Sequence, residues 1–481
     1  MKILLSSPRY EYDIRGLLQA YFPWEKFSTD AEDPDPDCLS VRFEEAADPL
    51  TGNDLATLRF THGDYDRTET VALKLEDVGT AKSALKRTLY RMLSEATGKT
   101  LPWGTLSGIR PTKIAMDLLN RGADAAEILR HMKEDLLVSD RKALLALEIA
   151  GREKQMLERL SNPGISLYIG IPFCPSTCLY CSFSSVTIGA YRKRIPEYSQ
   201  AVSAELDLIK DLFPETPIHT VYFGGGTPTS LEADELRVLL RKVQETFDLS
   251  ETVEWTVEAG RPDSVTEEKL AMLREFPVNR ISVNPQTLHQ KTLDLIGRKH
   301  TVEDFYRAFA EARNAGFTNI NTDLILGLPG ETPEDMIETV RGIAGLRPDS
   351  VTVHSLAIKR SSRLNLMKET YEHYRMENSE ELMESTEETL REAGLRPYYL
   401  YRQKNMAGNL ENVGYALPGK ECYYNVLIME ETETIAAAGA GASTKKVANG
   451  RIDRAANAHD VETYLKNLAE MMDRKRKLFA E

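Results

Sequence analysis

The feature that most constrains this chain of 481 residues is a group of closely spaced cysteines. Cys174, Cys178 and Cys181 form a CxxxCxxC triplet. Three thiolates at this spacing predict ligation of three corners of a cuboidal iron–sulfur cluster, which leaves one iron open for chemistry. A zinc site completed by a distant histidine, or three structural cysteines, is the alternative, although zinc usually takes four protein ligands. The remaining cysteines, Cys38 and Cys422, are interpreted as ordinary thiols.

The composition is that of an ordinary globular protein, with 42% hydrophobic and 28% charged residues. A net charge of −14 argues against nucleic-acid binding as the main function. Because there is neither a run of about 18 apolar residues nor a signal-peptide core, we predict no membrane span and expect a cytoplasmic protein. The clustered cysteines do not form a disulfide framework, and an open cluster implies a reducing setting.

Residues 166–356 alternate short β-branched or aromatic runs with amphipathic stretches. This alternation predicts parallel strands joined by helices, in a partial (βα)6 barrel that is open where a closed barrel would continue. The predicted strands are Leu167–Ile171, Thr220–Phe223, Val253–Val257, Arg280–Val283, Asn321–Ile325 and Val351–Ser355. The predicted helices include Tyr198–Leu212, Ala233–Phe247 and Val302–Ala315, with Glu205 on a solvent-facing side.

The whole chain is predicted to be an α/β protein with three parts. Residues 1–160 form an N-terminal extension, in which a small α/β unit is followed by helices. Residues 161–365 form the partial barrel, and residues 366–481 form a smaller C-terminal domain that is expected to cover the substrate. The strands predicted in the N-terminal unit lie near Lys2–Leu5, Leu39–Phe43, Ala56–Phe60 and Thr68–Leu73.

The segment Tyr168–Phe183, which contains the cysteine triplet, resembles the cluster loop of radical S-adenosylmethionine (SAM) enzymes. The resemblance is strongest to the oxygen-independent coproporphyrinogen III oxidase family. It implies a [4Fe–4S] cluster held by Cys174, Cys178 and Cys181, with SAM bound at the open iron. It also implies reductive cleavage of SAM to methionine and a 5′-deoxyadenosyl radical, while the protein binds and shields the reactants. The implied partner is a low-potential electron donor of the flavodoxin or ferredoxin type.

Motifs at the later strand ends match the SAM-binding positions of that family in order. The run Phe223–Thr229 contains three consecutive glycines, which allow positive φ and close backbone approach. The resemblance implies that Gly225 and Gly226 hold the SAM amino group, although such a run also suits a phosphate cradle or a plain turn. The other implied contacts are Glu258 and Asp323 at the ribose, Gln286 at SAM, Arg298 at its carboxylate, Ala357 at the adenine, Tyr180 against the cluster, and Tyr168 as a catalytic and cofactor-binding residue.

The long N-terminal extension and its run Leu101–Thr112 resemble the HemZ branch of the family, whose members are generally assigned as coproporphyrinogen dehydrogenases. The resemblance implies conversion of coproporphyrinogen III, a tetrapyrrole, to protoporphyrinogen IX in anaerobic haem biosynthesis. Hydrogen abstraction from a propionate β-carbon, followed by loss of carbon dioxide and one electron, would leave a vinyl group. Because the substrate carries carboxylates, its cavity is expected to contain basic residues. The candidates are Arg192, Arg194, Lys359, Arg360 and Lys445.

One departure from the family pattern keeps other functions open, while a departure from the chaperone pattern counts against the main alternative, although another histidine or cysteine could replace the missing ligand. Phe183 occupies the position where the best-characterised coproporphyrinogen oxidases have an additional cysteine. HemW-like haem-binding chaperones share the barrel and the cysteine spacing, but their H-N-x-x-Y-W segment is replaced here by Tyr423–Ile428, which has no histidine. The chaperone function and another radical SAM modification of a tetrapyrrole are therefore the alternatives.

Overall fold

The computed structural model divides the chain into two compact units, Met1–Gly151 and Arg152–Glu481. The structure describes residues 1–23, 25–33, 35–44, 54–73, 78–160, 162–183, 185–359, 361–371, 373–374, 376, 378–403 and 410–480. Arg360, one of the predicted substrate contacts, lies outside the described residues.

The first unit is built on a sheet of four strands among the described residues. In sheet order these are β1 (Lys2–Leu5), β2 (Cys38–Glu44), β3 (Asp54–His62) and β4 (Tyr65–Leu73), and they confirm the four strands predicted there. β1 and β2 are parallel, and the other neighbours are antiparallel. The helices are α1 (Glu11–Tyr21), α2 (Val78–Thr97), α3 (Thr112–Asn120), α4 (Ala125–Arg130) and α5 (Asp140–Leu157). The buried core joins Leu18 of α1, Leu58 of β3 and Leu89 of α2.

The second unit contains a sheet of eleven strands within the described part of the chain. Its central strands run parallel and match the predicted βα repeat. From the cysteine region onward the strands are β5 (Ile165–Ile171), β6 (Phe173–Cys174), β7 (Val186–Thr187), β8 (Ile218–Gly225), β9 (Glu254–Glu258), β10 (Arg280–Ser282), β11 (Ile320–Leu326) and β12 (Ser350–Ser355). β6 and β7 form a separate two-stranded ladder, and the others lie side by side in the order β12-β11-β10-β9-β8-β5.

The C-terminal residues extend this same sheet at both edges. Two strands are added beyond β12, namely β13 (Arg396–Tyr401) and β14 (Asn412–Ala416). β14 pairs antiparallel with β12, and β13 pairs antiparallel with β14 at the edge of the sheet. β15 (Thr434–Ala438) adds a parallel strand beside β5, and β16 (Ser443–Ala448) and β17 (Arg451–Ala456) follow it antiparallel. The division of the chain into three domains stays a prediction. The strands within residues 366–481 share one compact unit with the barrel strands, because their backbones hydrogen-bond to its sheet. Their role as a substrate cover stays a prediction.

Between β5 and β12 helices connect the strands as the alternating pattern predicts, and further helices follow β12. They are α6 (Ile195–Leu212), α7 (Ala233–Thr246), α8 (Glu267–Leu273), α9 (Gln290–Leu295), α10 (Val302–Asn314), α11 (Pro333–Gly345), α12 (Arg363–Leu366), α13 (Lys368–Tyr371), α14 (Glu380–Glu392), α15 (Tyr423–Glu430), α16 (Val461–Lys466) and α17 (Leu468–Ala480). α10 begins where Thr301 and Asp304 form a capping box, which satisfies amide groups that a helix start leaves free. No helix in the described ranges has the length and apolar character to cross a membrane.

The prediction of a solvent-facing Glu205 was wrong, because this residue of α6 is fully buried. Its carboxylate pairs with Lys475 of α17 and accepts hydrogen bonds from Tyr464 Oη at 2.6 Å and the Gly439 amide at 2.7 Å. A buried carboxylate is stable only when it is paired and hydrogen-bonded in this way. Its partners lie more than 200 residues away in the sequence, so helical periodicity alone does not indicate them.

Candidate functional site

The three predicted cluster ligands lie in the loop between β5 and α6. The short ladder at the base of this loop pairs Cys174 with Thr187. Further along, the Leu179 amide donates to the Ile296 carbonyl at 2.9 Å, and the Leu179 carbonyl accepts from the Leu364 amide at 2.9 Å. The loop is therefore fixed by backbone hydrogen bonds to the end of α9 and to α12.

The environments of the three sulfur atoms differ. Cys178 is buried, whereas Cys174 and Cys181 are half-buried. Cys174 Sγ lies 3.5 Å from Thr227 Oγ1, and Cys181 Sγ lies 3.9 Å from Ser185 Oγ. Burial raises the pKa of the Cys174 thiol to about 11 and also raises the pKa of Cys181. Metal binding must therefore displace protons from these thiols, as it does at thiolate sites in general.

Two buried arginines converge on Cys178. Arg298 Nη1 lies 4.0 Å from Cys178 Sγ and 3.4 Å from the Tyr180 hydroxyl, and Nη2 donates to the Gly260 carbonyl at 3.0 Å. Arg261 Nη1 lies 3.6 Å from the same sulfur. The structure thus places the predicted residues Arg298 and Tyr180 together beside the cysteine loop, and it adds a cation that the motifs did not indicate.

The glycine run at the end of β8 passes close to the start of the cysteine loop. A Cβ atom on Gly226 would lie 2.7 Å from the Phe173 carbonyl oxygen, closer than real Cβ contacts allow. Gly225 has a φ of 108°, and a Cβ there would lie 3.2 Å from the hydroxyl of Tyr168. Both positions therefore require glycine, for space at Gly226 and for backbone conformation at Gly225. Tyr168 is brought beside the glycine run because it pairs with Tyr222 across β5 and β8.

Glu258 ends β9 and interacts with several of these groups. Its Oε1 accepts a hydrogen bond from the Tyr222 hydroxyl at 2.6 Å. Burial raises the pKa of Glu258 to about 7, with a further increase from the charge of Asp323, while hydrogen bonds from Tyr222 and the Gly225 amide act in the opposite direction. The two carboxylates predicted to contact a ribose are therefore close enough to influence each other's charge.

Asp323, on β11, is held by amide side chains. Asn284 Nδ2 and Asn321 Nδ2 each donate to its carboxylate at 2.7 Å. Burial alone would raise the pKa of Asp323, but hydrogen bonds from His354 and Asn321 outweigh this effect, so the pKa is lowered. The lowered pKa and the two amide donors therefore favour an ionised Asp323 that is held in place as an acceptor.

Gln286 has a strained backbone and an unpartnered side-chain atom. Its φ is 70°, in the left-handed region that residues other than glycine occupy at a cost of about 1–3 kcal/mol. Backbone hydrogen bonds of 3.1 Å to the Asp323 carbonyl and 3.0 Å from the Ile325 amide maintain this conformation. The side-chain Oε1 is buried without a hydrogen-bond partner in the described structure. Such an atom is costly unless a ligand or water satisfies it.

Ala357 lies just beyond the carboxyl end of β12 and is half-buried. The preceding residue, Leu356, donates its amide to the Leu326 carbonyl at 2.9 Å, which keeps the segment beside the end of β11. Most of the predicted SAM and cluster residues thus occur at the carboxyl ends of the parallel strands or in the segments that follow them, where parallel α/β folds place their ligands. Tyr168 and Asp323 are the exceptions, because each lies in the middle of its strand.

Motif analysis missed four residues that the structure adds: Arg261, Tyr222, Asn284 and His354. Asn284 lies inside the motif that contains Gln286, and strand alternation places Tyr222 on the same face as Gly224. Those two could have been found from the sequence. Arg261 and His354 follow no spacing rule, and only the fold brings them to the site.

The segment that replaces the chaperone motif forms the start of α15. Tyr424 stacks on Tyr222 with 4.3 Å between ring centroids, so the position faces the aromatic side chains of the barrel. Cys422, just before this helix, is fully buried, and its Sγ donates to Glu254 Oε1 at 3.3 Å. Cys38 lies in β2 of the first unit.

Comparison with known proteins agrees with this geometry. The model of the radical SAM superfamily matches residues 168–343. Over 417 residues the chain is 40% identical to the oxygen-independent coproporphyrinogen-III oxidase-like protein HemZ of Bacillus subtilis, a match that covers 85% of this chain and 82% of that protein. The chain belongs to the radical SAM superfamily. Within it, the chain is a member of the oxygen-independent coproporphyrinogen III oxidase-like family.

Two further similarities show how widely this radical SAM architecture is shared. The chain is 36% identical to the heme chaperone HemW of Bacillus subtilis over 198 residues, which is 40% of this chain and about half (51%) of that protein. The solved structure of coproporphyrinogen III oxidase HemN from Escherichia coli superposes with a TM-score of 0.52 at 22% identity, covering 66% of this chain and 73% of that one. The second similarity supports the fold alone.

Radical SAM proteins use a [4Fe–4S] cluster and SAM, and the residues present fit both. The loop supplies three thiols for three irons. The glycine run supplies a cradle that any Cβ at Gly226 would fill. Gln286 Oε1 and Arg298 Nε are buried atoms without partners in the described residues, as expected where a polar ligand completes the site.

Proposed function

We propose that this radical SAM protein catalyses the oxidative decarboxylation of coproporphyrinogen III to protoporphyrinogen IX in anaerobic haem biosynthesis. The observation that carries the proposal is the similarity to the coproporphyrinogen-III oxidase-like HemZ, which extends over most of both chains rather than over the barrel alone. The other relatives named above match less than half of this chain in sequence or support only the fold.

In this proposal Cys174, Cys178 and Cys181 hold the cluster. When bound, the cluster and SAM would supply the radical chemistry that removes a hydrogen from a propionate β-carbon of the substrate. The chain's own residues bind and orient SAM. The Arg298 guanidinium pairs with the SAM carboxylate, Gly225 and Gly226 contact its amino group, and Glu258 and Asp323 accept from its ribose. Gln286 and Tyr168 also contact SAM, Ala357 lies at the adenine, and Tyr180 lies against the cluster.

The basic residues proposed to bind substrate carboxylates are not equally available. Arg192 pairs with Glu232 and Glu235, Arg194 pairs with Glu197 and Glu462, and Lys445 pairs with Glu431. Lys359 is half-buried and has no ion-pair or hydrogen-bond partner for its ammonium among the described residues, and burial lowers its pKa.

Lys359 also has a suitable location. It follows Ala357 by two residues, and its carbonyl accepts from the Ser362 amide at 3.0 Å. The same segment continues to Leu364, whose amide donates to Leu179 in the cysteine loop. Lys359 therefore lies between Ala357, the predicted adenine contact, and Leu364, which hydrogen-bonds to the cysteine loop. We propose that it binds a propionate of the substrate, because a desolvated ammonium gains most from a carboxylate partner.

The second candidate function is haem binding as a chaperone, which the similarity to HemW favours. The absence of a histidine from Tyr423–Ile428 and the use of Tyr424 in an aromatic stack count against it. In either function we propose a low-potential electron donor of the flavodoxin or ferredoxin type for the cluster.

The decisive experiment supplies anaerobically reconstituted protein with SAM, a low-potential reductant and coproporphyrinogen III deuterated at the propionate β-carbons. We expect vinyl products and deuterium in 5′-deoxyadenosine, both measured by mass spectrometry, and neither in the Cys178→Ala control. SAM cleavage without label transfer or vinyl product, together with stoichiometric haem binding seen as a Soret band, would favour the chaperone function instead.

The proposed role of Lys359 has its own measurement. Quenching of coproporphyrin III fluorescence reports binding to the cluster-loaded protein, and we expect Lys359→Gln to weaken that binding on the order of tenfold, as loss of a charge-assisted contact predicts. Lys466→Gln, which changes an exposed lysine of α16, is the matched control and should bind as the wild type does. Equal binding by Lys359→Gln and wild type would contradict the proposed contact between Lys359 and the substrate, but it would not contradict the proposed decarboxylation.

A further inference from the structure

Arg261 is a buried cation that no SAM-binding motif of the chain requires. It lies in the loop after β9, three residues beyond Glu258, and is 2% exposed. Asp263 takes two of its donors: Nε and Nη2 each lie 2.9 Å from one carboxylate oxygen. The third nitrogen, Nη1, is directed at the cysteine loop, where it lies 3.1 Å from Ser176 Oγ and 3.6 Å from Cys178 Sγ.

The loop that carries Arg261 holds the side chain in place from both ends. The Arg261 carbonyl accepts hydrogen bonds from the Ser264 amide at 2.9 Å and from Ser264 Oγ at 2.7 Å. Ser264 Oγ is in turn 2.7 Å from Thr229 Oγ1, in the segment after the glycine run. With its backbone fixed there and its guanidinium fixed by Asp263, the remaining N–H group has little freedom to leave the sulfur atom.

The three sulfur atoms therefore differ in the donors that face them. Hydroxyl groups face Cys174 and Cys181, whereas the guanidinium contacts to sulfur seen within the described residues, at 3.6 and 4.0 Å, are both to Cys178. Of these two cations, Arg298 has the longer contact to sulfur and further bonds to backbone carbonyls. Arg261 has the shorter contact, and its charge is balanced by a single carboxylate.

We propose that Arg261 is a positioning residue that donates an N–H···S hydrogen bond to the Cys178 thiolate and thereby raises the reduction potential of the bound cluster. Hydrogen bonds to ligating sulfurs and nearby charge are principal determinants of iron–sulfur potentials. Reduction adds a negative charge, which a neighbouring cation in a low-dielectric site stabilises. The inference depends on the cofactor of the radical SAM superfamily and not on which substrate the protein takes.

The Arg261–Asp263 pair allows a test in which two substitutions shift the potential in opposite directions. In Arg261→Gln the cation is lost, so the midpoint potential should become more negative. In Asp263→Asn the guanidinium stays but its counter-charge is lost, so the midpoint potential should become less negative. General loosening of the loop would move both variants in the same direction. Arg313→Gln, which removes an arginine near the end of α10 that pairs with Asp349, is the control and should leave the potential unchanged.

The measurement is a potentiometric titration of the anaerobically reconstituted full-length protein, followed by the electron paramagnetic resonance signal of the reduced cluster. Iron and sulfide content are determined in each variant, with and without SAM. Opposite shifts for Arg261→Gln and Asp263→Asn, with altered g-values in both, support the inference. Potentials equal to wild type in both variants overturn it, as do shifts of the same sign. If Arg261→Gln assembles no cluster, Asp263→Asn decides, because a potential that is unshifted or more negative contradicts the proposed role.

Discussion

Two sets of polar side chains, at opposite ends of the parallel strands, differ in whether other protein atoms satisfy them. At the amino ends, Glu433 lies between Ser166 and His219, whose Nδ1 is 2.7 Å from its carboxylate, and Thr220 donates to Ser166 at 2.7 Å. This network is closed, because each of these groups has a protein partner. At the carboxyl ends, Gln286 Oε1 and Arg298 Nε are buried without one in the described structure.

The difference separates groups that stabilise the fold from groups that are held ready for a ligand. A closed buried network contributes to stability and specifies the packing of the strands. Buried atoms that lack partners lower stability, as does the left-handed backbone of Gln286. A bound molecule offsets such costs, so substitutions at Gln286 and Arg298 should act mainly on ligand binding, whereas substitutions in the Glu433 network should act mainly on stability.

The largest effect is expected from the cysteine loop. Replacing Cys178 with Ala should abolish the oxygen-sensitive cluster, because the loop has three thiols for three irons and none to spare. Iron and sulfide analysis after reconstitution measures this loss. Cys422→Ala is the matched control and should retain full iron content, since Cys422 donates to Glu254 instead. Full occupancy in Cys178→Ala, or loss of iron in Cys422→Ala, would show that the ligands are assigned incorrectly.

Arg298→Gln should weaken SAM binding on the order of ten- to a hundredfold, the usual consequence of losing a charge-assisted hydrogen bond of about 1.5–3 kcal/mol. Its iron content should stay near wild type, because the cysteines themselves are unchanged. Equilibrium dialysis with labelled SAM gives the affinity. An unaltered SAM affinity would mean that Arg298 does not bind SAM and only hydrogen-bonds to Tyr180 and the Gly260 carbonyl.

Glu433→Ala provides the opposite test at the amino ends. It should lower the free energy of unfolding by about 1–3 kcal/mol, because Ser166 and His219 lose their shared acceptor. The affinity for SAM should not change. Denaturant titration measures the free energy of unfolding, and the same dialysis assay measures SAM affinity. A loss of SAM affinity as large as that of Arg298→Gln would contradict the claim that the Glu433 network serves stability alone.

The smallest expected effect is a pH dependence that resides in Glu258. Its pKa of about 7 is raised, so the carboxyl is protonated below that pH and ionised above it. An ionised carboxylate is the better acceptor for ribose hydroxyls, so SAM affinity should increase by a few-fold as pH rises through about 7. Tyr222→Phe removes a bond that lowers this pKa and should move the midpoint upward. In Glu258→Gln this component of the pH profile should vanish, and its persistence would assign it to another group.

Much of the fold could be predicted because its signals are local. β11 contains a short run of β-branched and apolar residues that follows an amphipathic stretch, which is the pattern of a parallel strand after a helix. α10 begins at a capping box, whose threonine and aspartate can be read from the sequence. The C-terminal residues were harder, since nothing near Thr434 indicates that its strand will pair with β5, more than 250 residues earlier. Glu205 is a similar case, because its buried partners come from the last helices of the chain.

The candidate site shows the same division. Cys174, Gly226 and Arg298 could be named because each belongs to a short motif with a chemical reason for its residue type. Arg261 could not, since its contact with Cys178 bridges 83 residues and depends on the turn after β9. Sequence patterns identify groups that a cofactor needs, whereas the charges that adjust its properties are set by tertiary structure.

The backbone bonds of Leu179 have a consequence for how the protein assembles. They connect the cysteine loop to the end of α9, next to Arg298, and to α12. Iron binding and ordering of the SAM pocket are therefore thermodynamically linked, and the loop, the α9 end and α12 should behave as one cooperative unit. Without iron, amide hydrogen exchange should accelerate together at Leu179 and Leu364 while the central strands stay protected. The metal-free protein would then keep its central strands folded while the cysteine loop, the end of α9 and α12 are locally open. Insertion of the cluster would order these three segments in a single step.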